Sequence, residues 1–318
     1  PTATGAQEVA ELMALLGGPD EGLKISAAQR LSIFRDPAAA PALAACLSDD
    51  SREVRVAAAM ALSACGTRES VEPLLEGLVD TYPLVAQAAA VALENITGHV
   101  EPFDSFAQLD RRRRQADRWR GWFEQTGWDA IGQDLIGRLA SPDRNVVRRA
   151  AVALGHTGSN AAHDALRSYV VRERDNNPLP AWRKAGHRGD AARFNSLSDV
   201  NPRTLQAVTR AIGYLQDTRA IPMLAETIAL HSDVETANLF LTEAAVEALG
   251  RIGTPQAQAA LVKAFSRFQN YPDYTYWYGD HQALMSCHAS PSHYFVIEAL
   301  DRLGSTAAAA ILPDLIRS

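Results

Sequence analysis

Four potential metal ligands lie close together near the C-terminal end of the sequence, at His281, Cys287, His288 and His293. Zinc is held by three or four Cys, His or carboxylate ligands, and structural sites use close pairs such as CxxC or HxxxH. Neither pair occurs here. A haem-attachment CxxCH ending at His288 would need a cysteine where Leu284 stands. We therefore predict no metal site and no cofactor.

Motifs of catalysis are also missing from the sequence. It contains no GxSxG nucleophile elbow, Walker A loop, HExxH pair or Rossmann glycine pattern. These are the local patterns that build an activated serine, a phosphate cradle, a zinc centre or a dinucleotide site. We predict no catalytic residues and a protein that is not an enzyme.

Arginines and tryptophans alternate between residues 111 and 123. The run holds Arg111, Arg112, Arg113, Arg114, Arg118, Trp119, Arg120, Trp122 and Phe123. Such a cluster could grip phosphates and stack bases. The alternative is a helix that buries Trp119, Trp122 and Phe123 and leaves its arginines solvated, and the i, i+3, i+4 spacing favours this helix. A net charge of −6 also argues against a surface dedicated to nucleic acid.

Two long segments without helical periodicity carry the remaining aromatic clusters. Segment 172–203 is rich in arginine, and segment 266–292 is rich in tyrosine. Aromatic density on a loop is typical of a binding surface, although the rings could instead cover the flank of the fold or meet the basic segment. The predicted partner-binding residues are Trp182, Phe194, Tyr271, Tyr274, Tyr276, Trp277 and Tyr278.

The elements that position these residues recur along the chain. Alanine-rich segments each end in an apolar residue, here called the anchor: Leu31, Leu62, Leu93, Leu154, Ile212, Leu249 and Leu300. The first intervals are 31 residues, and Phe123 divides the doubled interval that follows Leu93. A fixed period of this length is the signature of a stacked helical repeat. About eight units result, with residues 99–127 as a degenerate copy.

Each unit contains a short helix A and a longer helix B. Proline in the first helical turn predicts the start of helix A at Pro41, Pro73, Pro222 and Pro313. Capping side chains before proline predict the start of helix B at Ser141-Pro142, Asn201-Pro202 and Ser290-Pro291. Left-handed glycines are predicted to end helix B at Gly66, Gly98, Gly127, Gly158, Gly253 and Gly304. No segment has the period of two that indicates a strand, so we expect essentially no strand.

One helical pair cannot bury so much apolar surface, so the pairs must stack on a continuous core. The sequence predicts an all-α right-handed α-solenoid, a single array over residues 1–318. Its inserts are the degenerate repeat 99–127 and the loops 172–203 and 266–292, both between helix A and helix B. We expect these two loops to project from the same edge. The last segment starts a helix A without a helix B, so we expect either a piece of a longer polypeptide or an apolar end that a partner or a symmetry mate covers.

The repeat lines resemble the HEAT-repeat family, in the short bacterial form called HEAT-like or PBS-lyase-like. The matching residues are Pro41 to Leu47, Asp49-Asp50, Val54-Arg55, Ala57-Ala58 and Ala61-Leu62, and Val147 departs by replacing the usual arginine. Because such repeats serve many functions, the resemblance implies a non-enzymatic interaction scaffold or, as the alternative, an enzyme-associated protein of the chromophore-lyase or DNA-glycosylase type. The His-Glu dipeptides of the hydroxylase branch are absent.

The expected partner is another protein or another domain of the same polypeptide. Apolar stretches are too short for the roughly 18 residues of a membrane span. Cys46, Cys65 and Cys287 are too few for a disulfide framework and are expected as free thiols. No signal peptide is visible, and a cytoplasmic location is preferred over export.

Overall fold

The computed structural model describes residues 5–175, 202–231, 239–268, 274–277, 284–287, 296–300 and 303. The chain divides into two compact units, Pro1–Ala162 and His163–Ser318, called unit 1 and unit 2. Unit 1 contains α1 Gly5–Leu16, α2 Glu21–Phe34, α3 Ala40–Ala45, α4 Arg52–Cys65, α5 Val71–Gly77, α6 Pro83–Thr97, α7 Leu109–Arg138 and α8 Arg144–Thr157. None of the described helices is long and apolar enough to cross a lipid bilayer.

Unit 2 begins with α9, Ala162–Asp175, at the boundary between the units. It continues with α10 Pro202–Tyr214, α11 Ile221–His231, α12 Leu239–Ile252 and α13 Pro255–Phe268, and residues 296–300 are helical. Strands β1 Tyr274–Trp277 and β2 Leu284–Cys287 form an antiparallel hairpin. The predicted all-α repeat fold is confirmed, and the eight residues of this hairpin in the insert 266–292 are the only strand residues in the described part of the chain.

Within each unit, helix B of one pair packs on helix B of the next. In unit 1, α4 packs against α2 and α6, and α6 packs against α8; in unit 2, α10 packs against α12. Seven of the eight predicted anchors, from Leu31 to Leu300, are fully buried, and Phe123 is the exception. The repeat period therefore located the core correctly, because a residue that recurs at the same helical phase meets the same neighbours in each pair.

The segment 99–127 lies beside the layer of B helices. Helix α6 packs directly against α8, so residues 109–126 do not lie between these two B helices. The first half of α7, residues 109–126, is held at the α5–α6 turn, where Arg112 donates to the Asp80 carbonyl. Its predicted anchor Phe123 is only partly buried, and Trp119 is the fully buried residue.

The helix ends confirm most of the predicted glycines and correct one. Gly98, Gly127, Gly158 and Gly253 have φ between 61° and 68°. Gly127 breaks α7 into residues 109–126 and 128–138. Gly66 ends α4 with φ −60°, so its backbone does not require glycine; a Cβ there would instead collide with the Ile96 side chain. Gly304 lies outside the described residues.

Proline starts are confirmed at three helices A and corrected at one helix B. Pro41, Pro73 and Pro222 lie in the first turns of α3, α5 and α11. Helix α8 begins at Arg144, two residues after Pro142, because the Asp143 carboxylate caps it by accepting from Asn145 N at 2.8 Å. Helix α10 begins at Pro202 as predicted. Asn201, Ser290-Pro291 and Pro313 lie outside the described residues.

Acidic residues before two B helices join neighbouring pairs. Asp49 precedes α4 and binds Lys24 of α2 at 2.6 Å, and Asp80 precedes α6 and binds Arg55 of α4 at 2.7 Å. Each carboxylate also accepts a backbone N–H, from Ser51 and Tyr82 respectively. The Lys24 ammonium lowers the pKa of Asp49 by its hydrogen bond. These bonds tie each B helix to the turn that starts the next.

Removing a buried anchor tests the core. We expect Leu62→Ala and Leu154→Ala each to lower the free energy of unfolding by about 2 to 5 kcal/mol, the range for fully buried leucines. Met60→Ala on the same helix as Leu62 is the control, because Met60 is exposed; its effect should stay within about 0.5 kcal/mol. Urea unfolding measures all three. Losses below about half a kcal/mol at both leucines would show that the anchors are misplaced.

Removing one partner of the Arg55–Asp80 pair tests the link between pairs. Both side chains are mostly buried, and Arg55→Ala leaves the Asp80 carboxylate without its cation. We expect a loss of roughly 3 kcal/mol, the lower end of the range for breaking a buried ion pair. The matched control is Arg113→Ala, whose exposed i,i+3 pair with Asp110 should contribute under about 1 kcal/mol. Equal losses in the two variants would contradict the assigned role of Arg55.

Candidate partner-binding surface

The structure brings together only part of the site predicted in the two loops. Trp182, Phe194, Tyr271 and Tyr278 lie outside the described residues, as do His281, His288 and His293. The other three predicted residues belong to β1: Tyr274 pairs with Cys287, Tyr276 with Met285 and Trp277 with Leu284. The partner-binding role of all seven stays a prediction.

The arginine–tryptophan segment forms a packed helix, as its spacing indicated. Trp119 is fully buried, and Trp122 and Phe123 are partly buried. Most of the arginines are exposed, including Arg111, Arg113, Arg114 and Arg118. Arg112 is the exception, because it is buried and donates to the carbonyls of Asp80 and Ala107. That arginine belongs to the core, and it is not available to a phosphate.

Rings from α7 and the preceding loop pack on one another. The His99 imidazole stacks on Trp122 with 3.8 Å between centroids and 6° between planes, and it meets Trp119 edge-on at 5.0 Å. Phe123 contacts Trp128 at 5.5 Å, and the Arg68 guanidinium lies 5.1 Å from the centre of the Trp128 ring. His99 thus covers one face of Trp122, so a nucleic acid base cannot stack on that face.

His99 is packed against the tryptophans with one ring nitrogen buried. Its Nε2 is buried without a hydrogen-bond partner and lies 3.7 Å from a Glu101 carboxylate oxygen. Burial lowers the pKa of His99, Glu101 opposes this shift, and Arg138 reinforces it. Within the described ranges, no group of three or more His, Cys, Asp or Glu is arranged to hold a metal ion. The ring therefore serves packing.

An exposed apolar row crosses the B helices of unit 1. Met60 on α4, Val91 on α6 and Val152 on α8 each lie two residues before an anchor, and their exposed fractions are 61%, 47% and 36%. Packed helices lie about 8 to 10 Å apart, so the three side chains form a line roughly 20 Å long. We call these three residues the B-face row. Sequence reasoning missed it, although an apolar residue recurring outside the buried phase of the helix was the available signal.

In unit 2, the positions equivalent to the B-face row on α10 and α12 carry charged residues. Arg210 on α10 and Glu247 on α12 each lie two residues before an anchor, and their side chains form an ion pair at 2.8 Å. Arg210 also contacts Glu243 of α12 at 3.2 Å. The described part of unit 2 thus pairs its B-face side chains internally, whereas unit 1 leaves apolar side chains facing outward.

Positive charge flanks one end of the B-face row. Arg148 and Arg149 lie four and three residues before Val152 on α8 and are exposed. Neither forms an ion pair within the described ranges. Residues on the same helix face one turn apart are neighbours, so both guanidinium groups lie beside Val152. Burial raises the pKa of Glu94 on α6, and Arg149 partly offsets that rise.

Acidification should weaken the fold through His99. Because burial lowers the His99 pKa in the folded state, the unfolded chain takes up the proton first as pH falls below about 6.5. The contribution of His99 to the free energy of unfolding is complete above that pH. It is lost as the pH falls towards the pKa of His99 in the folded state. We expect urea unfolding at pH 7.5 and 5.5 to show a larger loss for the parent chain than for His99→Phe, which keeps an aromatic ring beside Trp122. Equal losses would contradict the assignment.

Comparison with solved structures finds helical repeat proteins at low identity. The chain is 20% identical to a chain of the complex of CpcE and CpcF of phycocyanin lyase from Nostoc sp. PCC7120, covering 95% of this chain and 96% of that one with a TM-score of 0.32. It is 19% identical to human deoxyhypusine hydroxylase, covering 94% and 97% with a TM-score of 0.34. A designed armadillo repeat protein is 14% identical, covering 93% and 99% with a TM-score of 0.30.

At these identities and TM-scores, the similarities bear on neither partner nor activity. No curated protein matches the sequence significantly. The family model for HEAT repeats matches residues 9–101 and 191–270, which together make up more than half of the chain. These segments include the alanine-rich B helices α2, α4, α6, α10 and α12. The chain belongs to the HEAT-repeat family.

Proposed function

We propose that this chain is a non-catalytic protein-interaction scaffold and that the B-face row of unit 1 binds its partner. The observation that carries the proposal is the exposure of Met60, Val91 and Val152 at equivalent positions on three packed helices. The described B helices of unit 2 place the ion-paired Arg210 and Glu247 at those positions instead. Equivalent positions of one repeat pattern therefore form an exposed apolar surface in unit 1 and an ion-paired polar surface in unit 2.

Exposed apolar side chains are common when they are scattered singly over a surface. The B-face row differs because its members align, and because Leu84 on α6 adds a fourth exposed aliphatic side chain, 41% exposed. Burying apolar surface contributes about 25 cal/mol per Å², so a partner that covers these four residues gains a hydrophobic centre. Polar and charged residues around them supply the rim that typical interfaces have.

The tyrosine-rich loop is a second candidate surface for the same function. The hairpin pairing supports it, because Tyr274, Tyr276 and Trp277 all belong to one strand of a two-stranded ribbon. Two strands alone are only marginally stable in water, so such a ribbon gains stability when another surface covers it. Trp182 and Phe194 in the basic loop are proposed to belong to the same surface.

The alternative function is an enzyme-associated one, of the chromophore-lyase or DNA-glycosylase type. It predicts a bound chromophore, a bound metal or affinity for DNA. Absorbance of the purified protein above about 300 nm, where the aromatic side chains absorb little, tests the first, and elemental analysis and a DNA-binding assay test the others. A coloured, metal-loaded or DNA-binding sample would favour this alternative over the scaffold.

Charge substitutions in the B-face row should abolish partner binding. The tagged chain captures its partner from the source cell, and mass spectrometry identifies it. The Met60→Glu/Val91→Glu double variant should bind that partner at least about tenfold more weakly, because it buries carboxylates in an apolar interface. Phe106→Glu is the matched control, since Phe106 is an equally exposed apolar residue off the B helices.

A further variant separates the two candidate surfaces. If the loop aromatics supply the anchors, Trp277→Ala should weaken binding by more than about 2 kcal/mol, as a hot spot does, and leave the melting temperature unchanged. Loss of binding in Trp277→Ala with full binding by the B-face double variant would move the site to the loop. Unaltered binding by both would contradict both surfaces.

A further inference from the structure

We infer that the segment bound at the B-face row is an amphipathic helix that presents an aliphatic side chain about every seventh residue and carries acidic residues at the end that lies over α8. The inference rests on the proposed function and adds the conformation and charge of the partner. Three observations carry it: the spacing of the row, the kind of side chains in it, and the position of its charges.

The spacing of the row excludes an extended strand. Consecutive members lie on helices that pack about 8 to 10 Å apart. A strand advances about 3.3 Å per residue, so 10 Å corresponds to three residues, and side chains three apart point to opposite faces. An α-helix advances about 10.5 Å in seven residues and returns to the same face with a drift of only about 20°. A helix lying across α4, α6 and α8 therefore meets all three members with like side chains.

The side chains of the row distinguish this helix from a polyproline segment. A polyproline II helix repeats every three residues, or about 9.3 Å, and so fits the spacing as well. Proline-rich segments, however, dock in grooves lined by aromatic rings. The row and its neighbour Leu84 are aliphatic or Met, and one turn before Met60 and Val91 stand Val56 and Gln87. An aliphatic surface of this kind binds the broad apolar face of an amphipathic helix.

Charge gives the bound helix its direction. The residue one turn before the B-face row is uncharged on two of the helices, Val56 on α4 and Gln87 on α6. On α8 it is Arg148, with Arg149 beside it. These exposed guanidinium groups have no ion pair among the described residues. The positive charge at this end attracts acidic residues of a bound segment. Complementary charges at one end fix the orientation and register of a bound segment.

The test uses labelled synthetic helices of about three heptads. The matching peptide has leucine at every seventh position, a helix-favouring background and glutamates in its last turns. One control peptide carries lysines in place of those glutamates, and another has the same composition with the leucines out of register. Fluorescence anisotropy against the full chain measures binding at low and high salt, and circular dichroism measures the helicity of each peptide when it is bound.

The matching peptide is expected to bind, gain helicity on binding and weaken with added salt. Arg148→Glu/Arg149→Glu should weaken it at least tenfold and strengthen the lysine peptide, because the charges are exchanged. Met60→Glu/Val91→Glu should abolish binding, and Phe106→Glu should leave it unchanged. A misfolded variant could not bind the lysine peptide more tightly, so this gain in Arg148→Glu/Arg149→Glu shows that the variant is folded.

Two experiments, on the peptides and on the cellular partner, separate failure of this inference from failure of the proposed function. If no peptide of the set binds, or the register control binds equally well, the helical partner is overturned. If the cellular partner still depends on Met60 and Val91, the B-face row remains the binding surface and the partner segment has another conformation, such as polyproline. If the cellular partner binds the B-face double variant normally, the proposed surface itself is wrong.

Discussion

Close contact between small residues of successive B helices is the constraint on which the rest of this structure depends. In unit 2, a Cβ on Gly213 would lie 2.6 Å from the Ala248 Cα, and one on Gly250 would lie 3.1 Å from the Ala299 Cβ. In unit 1, alanines of the B helices such as Ala58 and Ala89 are fully buried, and a Cβ on Gly77 of α5 would lie 3.1 Å from the Ala89 Cβ. Interiors pack at near-crystalline density, so side chains without bulk allow the backbones to approach. Equivalent positions on neighbouring helices then line up, which is why three apolar residues form a row.

Polar contacts fix the register that close packing alone leaves undetermined. Asp49 and Asp80 each stand before a B helix, accept a backbone N–H there and bind a cation from the preceding B helix. Arg210 performs a similar link in unit 2, where it reaches Glu247. A slip of one helix along its neighbour would break these bonds and leave partly buried charges unpaired, which is costly. The B-face row inherits its alignment from this register.

The arginine–tryptophan segment of α7 has the composition of a nucleic-acid-binding surface but packs as part of the fold. Arginines and tryptophans at this density resemble a nucleic-acid-binding segment, but Trp119 is buried, His99 covers Trp122 and Arg112 is bound to backbone carbonyls. The same residues serve to attach an additional helix beside the repeat. The apolar surface left open in unit 1 lies instead on the B helices, and the proposed scaffold function rests on that surface.

The sequence by itself determined the repeat period, the seven buried anchors and most helix ends, because these depend on helical phase and on capping chemistry within a few residues. Tertiary structure alone decided that α6 packs against α8, that Trp119 replaces Phe123 in the core and that Gly66 avoids a collision with Ile96. It also decided that Arg210 and Glu247 satisfy each other while Met60 and Val91 stay uncovered. Whether a side chain has a partner depends on residues more than thirty positions away, and local periodicity carries no information about them.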